Sequence, residues 1–354
     1  MATDAQVLDP NQWPFRVEGY TFNVLDATNK AIGTCTPAEG VVLTNDTTQT
    51  PMRRLSSFVL TPSDAAAIDP LSNRIQPVMR LPNGSLFPLG IFLYATASNH
   101  RRPWGVQREG DLGDLGVLLT QTLPGSLSFD SGTSITANLA TVADMAGLSD
   151  TWIDASSATV GTPMSYVGSQ SNTTFATVMA GLCTRAGFLA PYLLTSGQLR
   201  CRVAPNLATV KPTITYAEGS NLQTDSMVES NDLLTAPNRW KVIDSAATNS
   251  EIVGIYVLPA SYPNSKDRRG FYITKPVQAA GLANTVAANA AAQAAAFAEP
   301  LAYETVSFNS PNDPRHDTFD VISYRGATYV ELGWSMPLVE GGPMTHTVKR
   351  IYPV

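Results

Sequence analysis

Apolar residues early in the chain recur at every second position. Phe15 and Val17, then Tyr20, Phe22 and Val24, alternate with polar neighbours, the pattern of a half-buried strand. Arg54 to Leu60 repeats the pattern and is broken by Pro62. Asn83-Gly84 is a hairpin turn signal between Val78–Leu81 and Leu86–Tyr94. Pro88 cannot donate to a ladder, so the start of that second run is expected at an edge or a bulge. Asp114 to Leu119 is expected to close this first β unit.

The period changes near residue 132. Ile135, Leu139, Val142 and Ala146 share one helical face behind a Thr133 or Ser134 cap, with Gly147 as the stop. Phe175, Val178, Met179 and Leu182 do the same between a Thr173 or Thr174 cap and Gly187. A Ser196-Gly197 turn and the run Leu199–Val203 then predict a hairpin. From 221 the chain reads as β again, with strands at Asn238–Ser245 and Glu251–Leu258 and a long surface loop over Pro259–Lys275. An Ala-rich helix is predicted from Leu282 to about Ala298, stopped at Pro300, with Leu282, Val286, Ala290, Gln293/Ala294 and Phe297 as a thin apolar stripe. A strand over Asp317–Tyr324, a turn at Arg325-Gly326, a Gly341-Gly342-Pro343-Met344 turn and an edge-like strand Thr345–Arg350 end the chain. The expected fold is mainly β with an α/β insertion: two small β-barrel domains, 1–130 and 221–354, flanking a helix-containing domain, 131–220.

Composition adds one constraint. Charged residues make up 15% of the 354 positions, well below the roughly 25% usual for soluble domains. A surface with few charges suits a protein that covers much of itself against neighbours. The net charge of −6 argues against a dedicated nucleic-acid binder. The pairs Arg53-Arg54, Arg101-Arg102 and Arg268-Arg269 are short and isolated, and are read as solvated loop charge. The N-terminus has no basic flank or apolar run of a signal peptide. Asn284, Asn289 and Gln293 interrupt the Ala-rich helix, which is not a membrane span. Cys35, Cys183 and Cys201 are odd in number and widely spaced, as free thiols made in a reducing cytoplasm would be.

Motifs for chemistry are missing from the sequence. It contains no GxSxG, HExxH, Walker, GxGxxG or EF-hand pattern. His100, His316 and His346 lie far apart, and the one local cluster is Asp313, His316, Asp317 and Asp320. That cluster could hold a cation or an acid/base pair; an Asp/Pro turn feeding a strand explains it more simply. Asp111/Asp114 and Asp150/Asp154 could supply glycosidase carboxylates, and equally serve turns and helix caps. Trp13, Trp104, Trp152, Trp240 and Trp334 could be sugar platforms, but scattered Trp are more often core or interface anchors. No catalytic, cofactor-binding or metal-binding residue is assigned.

Three stretches in order resemble the hub proteins of bacteriophage tail tips and baseplates. They are Asn73-Arg74-Ile75 with Phe87-Pro88-Leu89-Gly90-Ile91-Phe92; Asp114-Leu115-Gly116-Val117-Leu118 leading to Gly132-Thr133-Ser134 and the two capped helices; and the Ala-rich helix with the terminal strands and Gly341–Met344. The resemblance implies a non-enzymatic homotrimer whose six barrels form a ring. Such a ring adapts a sixfold tail tube to a threefold tip and passes DNA through its lumen. It also implies a distal tail protein, a tape-measure protein and a tip fibre or spike as partners, no membrane insertion, and residence in the virion tail tip after synthesis in the host cytoplasm. For this family the chain is short and ends just after the barrel, so no fused fibre or lytic domain is expected. The rival readings are a tail-associated cell-wall hydrolase and a peripheral receptor-binding protein.

Overall fold

The computed structural model describes residues 17–38, 40–47, 52–168, 173–216, 228–244 and 252–353. Phe15 and Trp13 lie outside them. Eight strands come first: β1 (Gly19–Leu25), β2 (Ala31–Cys35), β3 (Val42–Asp46), β4 (Arg53–Leu60), β5 (Arg74–Arg80), β6 (Leu86–Pro88), β7 (Phe92–Arg102) and β8 (Gly105–Asp114). Their order in the sheet is β3-β4-β8-β7-β5-β1-β2, with β6 hairpinned onto β5 across Asn83-Gly84. Beyond β2 the chain returns to β4 through a Pro37–Leu60 bridge, and Ala38 N–H donates to the Val59 carbonyl at 2.8 Å. This return completes a ring of six strands, which leaves few open edges, around Phe22, Leu55, Phe58, Ile75, Met79 and Phe92. Residues 115–120, after β8, form a 3-10 helix.

The middle of the chain carries β9 (Ser126–Phe129), β10 (Thr151–Ile153), β11 (Met164–Val167), β12 (Tyr192–Leu193) and β13 (Leu199–Cys201), with helices Ile135–Met145 and Phe175–Ala186. Ser134 and Thr174 cap these helices by accepting the N–H groups of Ala137 and Thr177 at 3.4 and 3.2 Å. Leu148 and Phe188 send their N–H groups back to the Ala143 and Cys183 carbonyls, closing the C-terminal ends beyond Gly147 and Gly187. Both apolar faces meet in one core with Leu115, Leu199 and Cys201. All three cysteines are free and buried.

The last part holds β14 (Ile214–Tyr216), β15 (Val228–Asn231), β16 (Arg239–Asp244), β17 (Val253–Val257), β18 (Thr274–Ala279), β19 (Glu304–Pro311), β20 (Val321–Tyr324), β21 (Ala327–Pro337) and β22 (Pro343–Ile351). Six strands run β15-β19-β22-β21-β20-β14, while β17-β16-β18 make a separate small sheet. Tyr324 pairs with Ala327 across Arg325-Gly326, whose φ values of 48° and 71° give the mirror-image turn a tight hairpin prefers. The helix packs on the small sheet so closely that a Cβ on Gly254 would lie 2.1 Å from the Ala288 carbonyl carbon. Alanines at 288, 291, 292 and 296 make that approach possible, all of them buried.

Four local expectations need correction. The Ala-rich helix spans Thr285–Ala298, three residues shorter than predicted, because the Asn284 side chain accepts the Ala287 N–H and sets the start. Residues 317–320 are a turn, not a strand: the Asp320 carboxylate accepts the Asp317 N–H at 2.7 Å. The stretch 259–275 is more than a surface loop. Tyr262, Asn264 and Ser265 are buried, residues Lys266–Arg269 are helical, and β18 begins at Thr274. Finally, β22 is no edge; it lies between β19 and β21. An alternating pattern fits any strand with one wet face, interior strands included.

The two strand units are not separate sheets. After a bulge between Glu331 and Gly333, β21 pairs with β3 from Gly333↔Asp46 to Pro337↔Val42. One fourteen-stranded sheet therefore runs through both.

Candidate functional site

The cluster expected from sequence sits beside this seam. Asp313 is buried and accepts the Arg315 guanidinium and N–H, the latter at 2.9 Å. Asp317 faces the other unit, where it takes the Arg53 guanidinium at 2.6 Å. Asn45 Nδ2 donates to Thr318 Oγ1 at 2.9 Å in parallel with that ion pair. Arg53 is thus no solvated loop charge: it lies in β4 and is 2% exposed. The side chain of Asp114 accepts the Arg53 and Gly116 N–H groups, both at 2.9 Å, capping the 3-10 helix and aligning β4. Burial pushes the Asp114 carboxyl up to about 6, and burial together with Asp317 pushes Asp320 up to about 7. The cluster is a clasp between two strand units.

His316 belongs to a second group that sequence spacing did not reveal. Its Nδ1 meets Glu331 Oε2 at 2.6 Å, and the other Glu331 oxygen takes His346 Nδ1. Tyr216 OH lies on His316 Nε2, and Ser310 Oγ on His346 Nε2 at 2.8 Å. Burial opposes charge on His316, but the Glu331 carboxylate overrides it and lifts the imidazole to about 9. Burial likewise opposes charge on Glu331, yet the two imidazoles hold its carboxyl down to about 2. For His346 burial prevails and its pKa falls. The resulting species are an imidazolium, a carboxylate and a neutral imidazole.

The donor atoms of His316, Glu331 and His346 lie within 4.8 Å of one another, as a metal centre would require. Their spacing speaks for hydrogen bonds instead. Ligand atoms about 2.0–2.1 Å from a tetrahedral zinc stand roughly 3.3 Å apart, whereas His316 Nδ1 and Glu331 Oε2 are 2.6 Å apart. All four ring nitrogens already have protein partners. The His346 ring also stacks on Phe308, centroids 4.7 Å apart, inside the core. This is a buried polar brace joining β19, β21, β22 and the 313–320 turn.

The remaining candidates disperse. Asp150 takes Gln198 Nε2 and Asp154 takes the Arg200 guanidinium, each at 2.6 Å. Trp240 and Trp334 are core residues; Trp104 and Trp152 are exposed in different parts of the chain. Trp104 tips the β7–β8 hairpin, and Trp152 carries the Arg200 guanidinium 4.3 Å over its ring. A concavity of about 560 Å³ does lie over the β3–β21 seam, lined by Thr44, Asp46, Arg54, Ser335, Thr345 and Thr347. Met52, Leu332 and Trp334 line it as well, so hydroxyls mix with apolar side chains around one cation and one anion, and the surface is nearly neutral. Among the described residues, no helix is long and apolar enough to cross a membrane.

No protein-family model and no curated protein matches the sequence. Solved structures do match, over nearly the whole chain. A tail protein from Neisseria meningitidis superposes with a TM-score of 0.62 at 12% identity, covering 94% of this chain and 96% of that one. This is the fold of phage tail proteins. The 43 kDa tail protein of prophage MuSo2 from Shewanella oneidensis gives 0.57 at 12% identity, with 94% and 98% covered. Prophage tail protein gp18 from Listeria monocytogenes gives 0.55 at 11% identity, with 92% and 94% covered. At these identities the likeness is one of fold, and at that level it agrees with the resemblance read from sequence.

Proposed function

We propose that the chain is the structural hub of a phage tail tip or baseplate. Three copies form a ring that adapts a sixfold tube to a threefold tip, and DNA passes through its lumen. The observation that carries this reading is the seam. Two strand units are joined edge to edge by β3 and β21 in a chain with a tail-protein fold, and three such pairs would supply the six units of a closed ring. The division into 1–130, 131–220 and 221–354 is part of the proposal. The hydroxyl-rich concavity over the seam is its lumen face, where few charges let a polyanion slide. A distal tail protein, a tape-measure protein and a tip fibre or spike are the partners this role requires.

The hydrolase alternative needs two free carboxylates facing one cleft. Of the acidic pairs that could serve, Asp114 caps the 3-10 helix, Asp150 takes the Gln198 amide and Asp154 pairs with Arg200. Only Asp111, exposed on β8, is left, so neither pair offers two free carboxylates. Light scattering of the purified protein, with negative-stain class averages, tests the proposal. The expected result is a mass three times 37.8 kDa and a ring with a central hole. A monomer that stays monomeric at high concentration, with no ring among the averages, overturns it.

A further inference from the structure

Charge is unevenly placed along the chain. Between Arg108 and Arg185 it has no Lys or Arg but seven Asp and Glu, whereas six of its 23 Lys and Arg fall between 239 and 275. Arg239, Lys241 and Lys275 lie on the small sheet, and Lys266, Arg268 and Arg269 on the short helix that precedes β18. Residues facing each other across a ladder share a face, and the register sets Arg239 opposite Val257, Lys241 opposite Ile255 and Ile243 opposite Val253. Trp240 and Val242, on the other face, are buried under the Ala-rich helix. The outer face thus combines two cations with exposed Ile243, Ile255 and Val257. It continues into exposed Phe271 and Tyr272, with the Arg239 guanidinium 4.1 Å over the Tyr272 ring. Among the described residues no ion pair holds Lys241, Lys266 or Arg268.

An apolar face rimmed with cations and aromatics has the make-up of a protein interface. Its complement is present on the same chain. Helix Ile135–Met145 packs beside β10. At its end and in the turn and strand that follow, Asp144, Met145, Asp150 and Trp152 are all exposed, with the Arg200 guanidinium, itself paired with Asp154, over the Trp152 ring. We infer that the outer face of β17-β16-β18 in one copy docks on this acidic, Met145- and Trp152-bearing surface of a second copy. Two different patches meet, so the contact is head-to-tail, the type that closes a ring. The inference rests on the ring reading and names the surfaces that would make it.

The test is the solution mass of full-length variants, with circular dichroism confirming that the fold is kept. Lys241→Glu with Arg268→Glu, and separately Asp144→Lys with Asp150→Lys, each change exposed or half-buried side chains. Each pair is expected to weaken association at least ~10-fold, since like charges then face each other. The quadruple variant, with both sides reversed, is expected to recover it. A wild-type trimer whose mass is unchanged by either pair overturns this docking surface and leaves the ring reading standing. Loss of association in both pairs without recovery in the quadruple variant overturns the pairing of the two patches. A wild-type chain that never associates overturns both.

Discussion

Replacing Glu331 by Gln removes the one anion between His316 and His346 with almost no change in shape. In the wild type, His316 titrates at about 9 rather than 6.5 because the buried carboxylate favours its charged form. A rise of that size corresponds to about 3 kcal/mol of stability. The folded state holds this proton more tightly than the unfolded state. The contribution is therefore complete below pH 6.5 and is lost as pH climbs through about 9. Glu331 titrates in the opposite sense: its stabilisation is present above 4.5 and is lost as pH falls towards about 2. Both shifts report one interaction and are not added.

In the variant His316 has no anion to hold its charge, and burial keeps it neutral. The expected deficit is ~3 kcal/mol at pH 6 and ~1 kcal/mol at pH 9.5, where the wild type has also lost its imidazolium. Urea unfolding at both pH values, at one protein concentration and ionic strength, measures it. The wild-type-minus-variant difference cancels groups that neither His316 nor Glu331 shifts, Asp114 among them, and repeating the comparison in an Asp320→Asn background removes Asp320, whose carboxyl both of them shift. A deficit equal at the two pH values would refute the ion pair, as would a His316 resonance titrating near 6.5.

The clasp and the helix contacts give further expectations. Asp317→Asn leaves the Arg53 guanidinium, 2% exposed, without its counter-ion, while Arg53→Met leaves Asp317, whose side chain is 24% exposed, open to water. Denaturant midpoints are expected to show losses of ~3 kcal/mol for the first and ~1–2 kcal/mol for the second. Asp114 keeps a carboxylate near Arg53 and limits the first loss, and the double variant recovers part of it. Lys349→Met frees the Ala296, Phe297 and Glu299 carbonyls that its ammonium now binds at the end of the Ala-rich helix; thermal unfolding is expected to show ~3 kcal/mol lost. Gly254→Ala puts a Cβ against the Ala288 backbone, so it costs ~3 kcal/mol by the same measurement, or it forces the helix off the sheet.

What the sequence made legible is what depends on neighbours in the chain. Ser134 and Thr174 cap the helices they precede, and Asn83-Gly84 and Arg325-Gly326 turn the hairpins they interrupt. Each of these is decided within a few residues by hydrogen bonds the local backbone must make. Arg53 shows the limit: its neighbours give no sign that Asp317, 264 positions away, neutralises it. The order of β19, β22 and β21 is hidden for the same reason, since alternation reports a wet face and a dry one but not which strands lie alongside. The His316 brace, however, left a trace. Met344, His346 and Val348 share one face of β22, and Met and Val mark that face as buried. Glu331 stands between Val330 and Leu332 in an apolar strand. A carboxylate and an imidazole at inward positions must each find a partner, because an unpaired buried charge costs more than the fold can spare. Parity along the strand says that such a pairing exists, and only the tertiary register says that Glu331, His316 and His346 make it together.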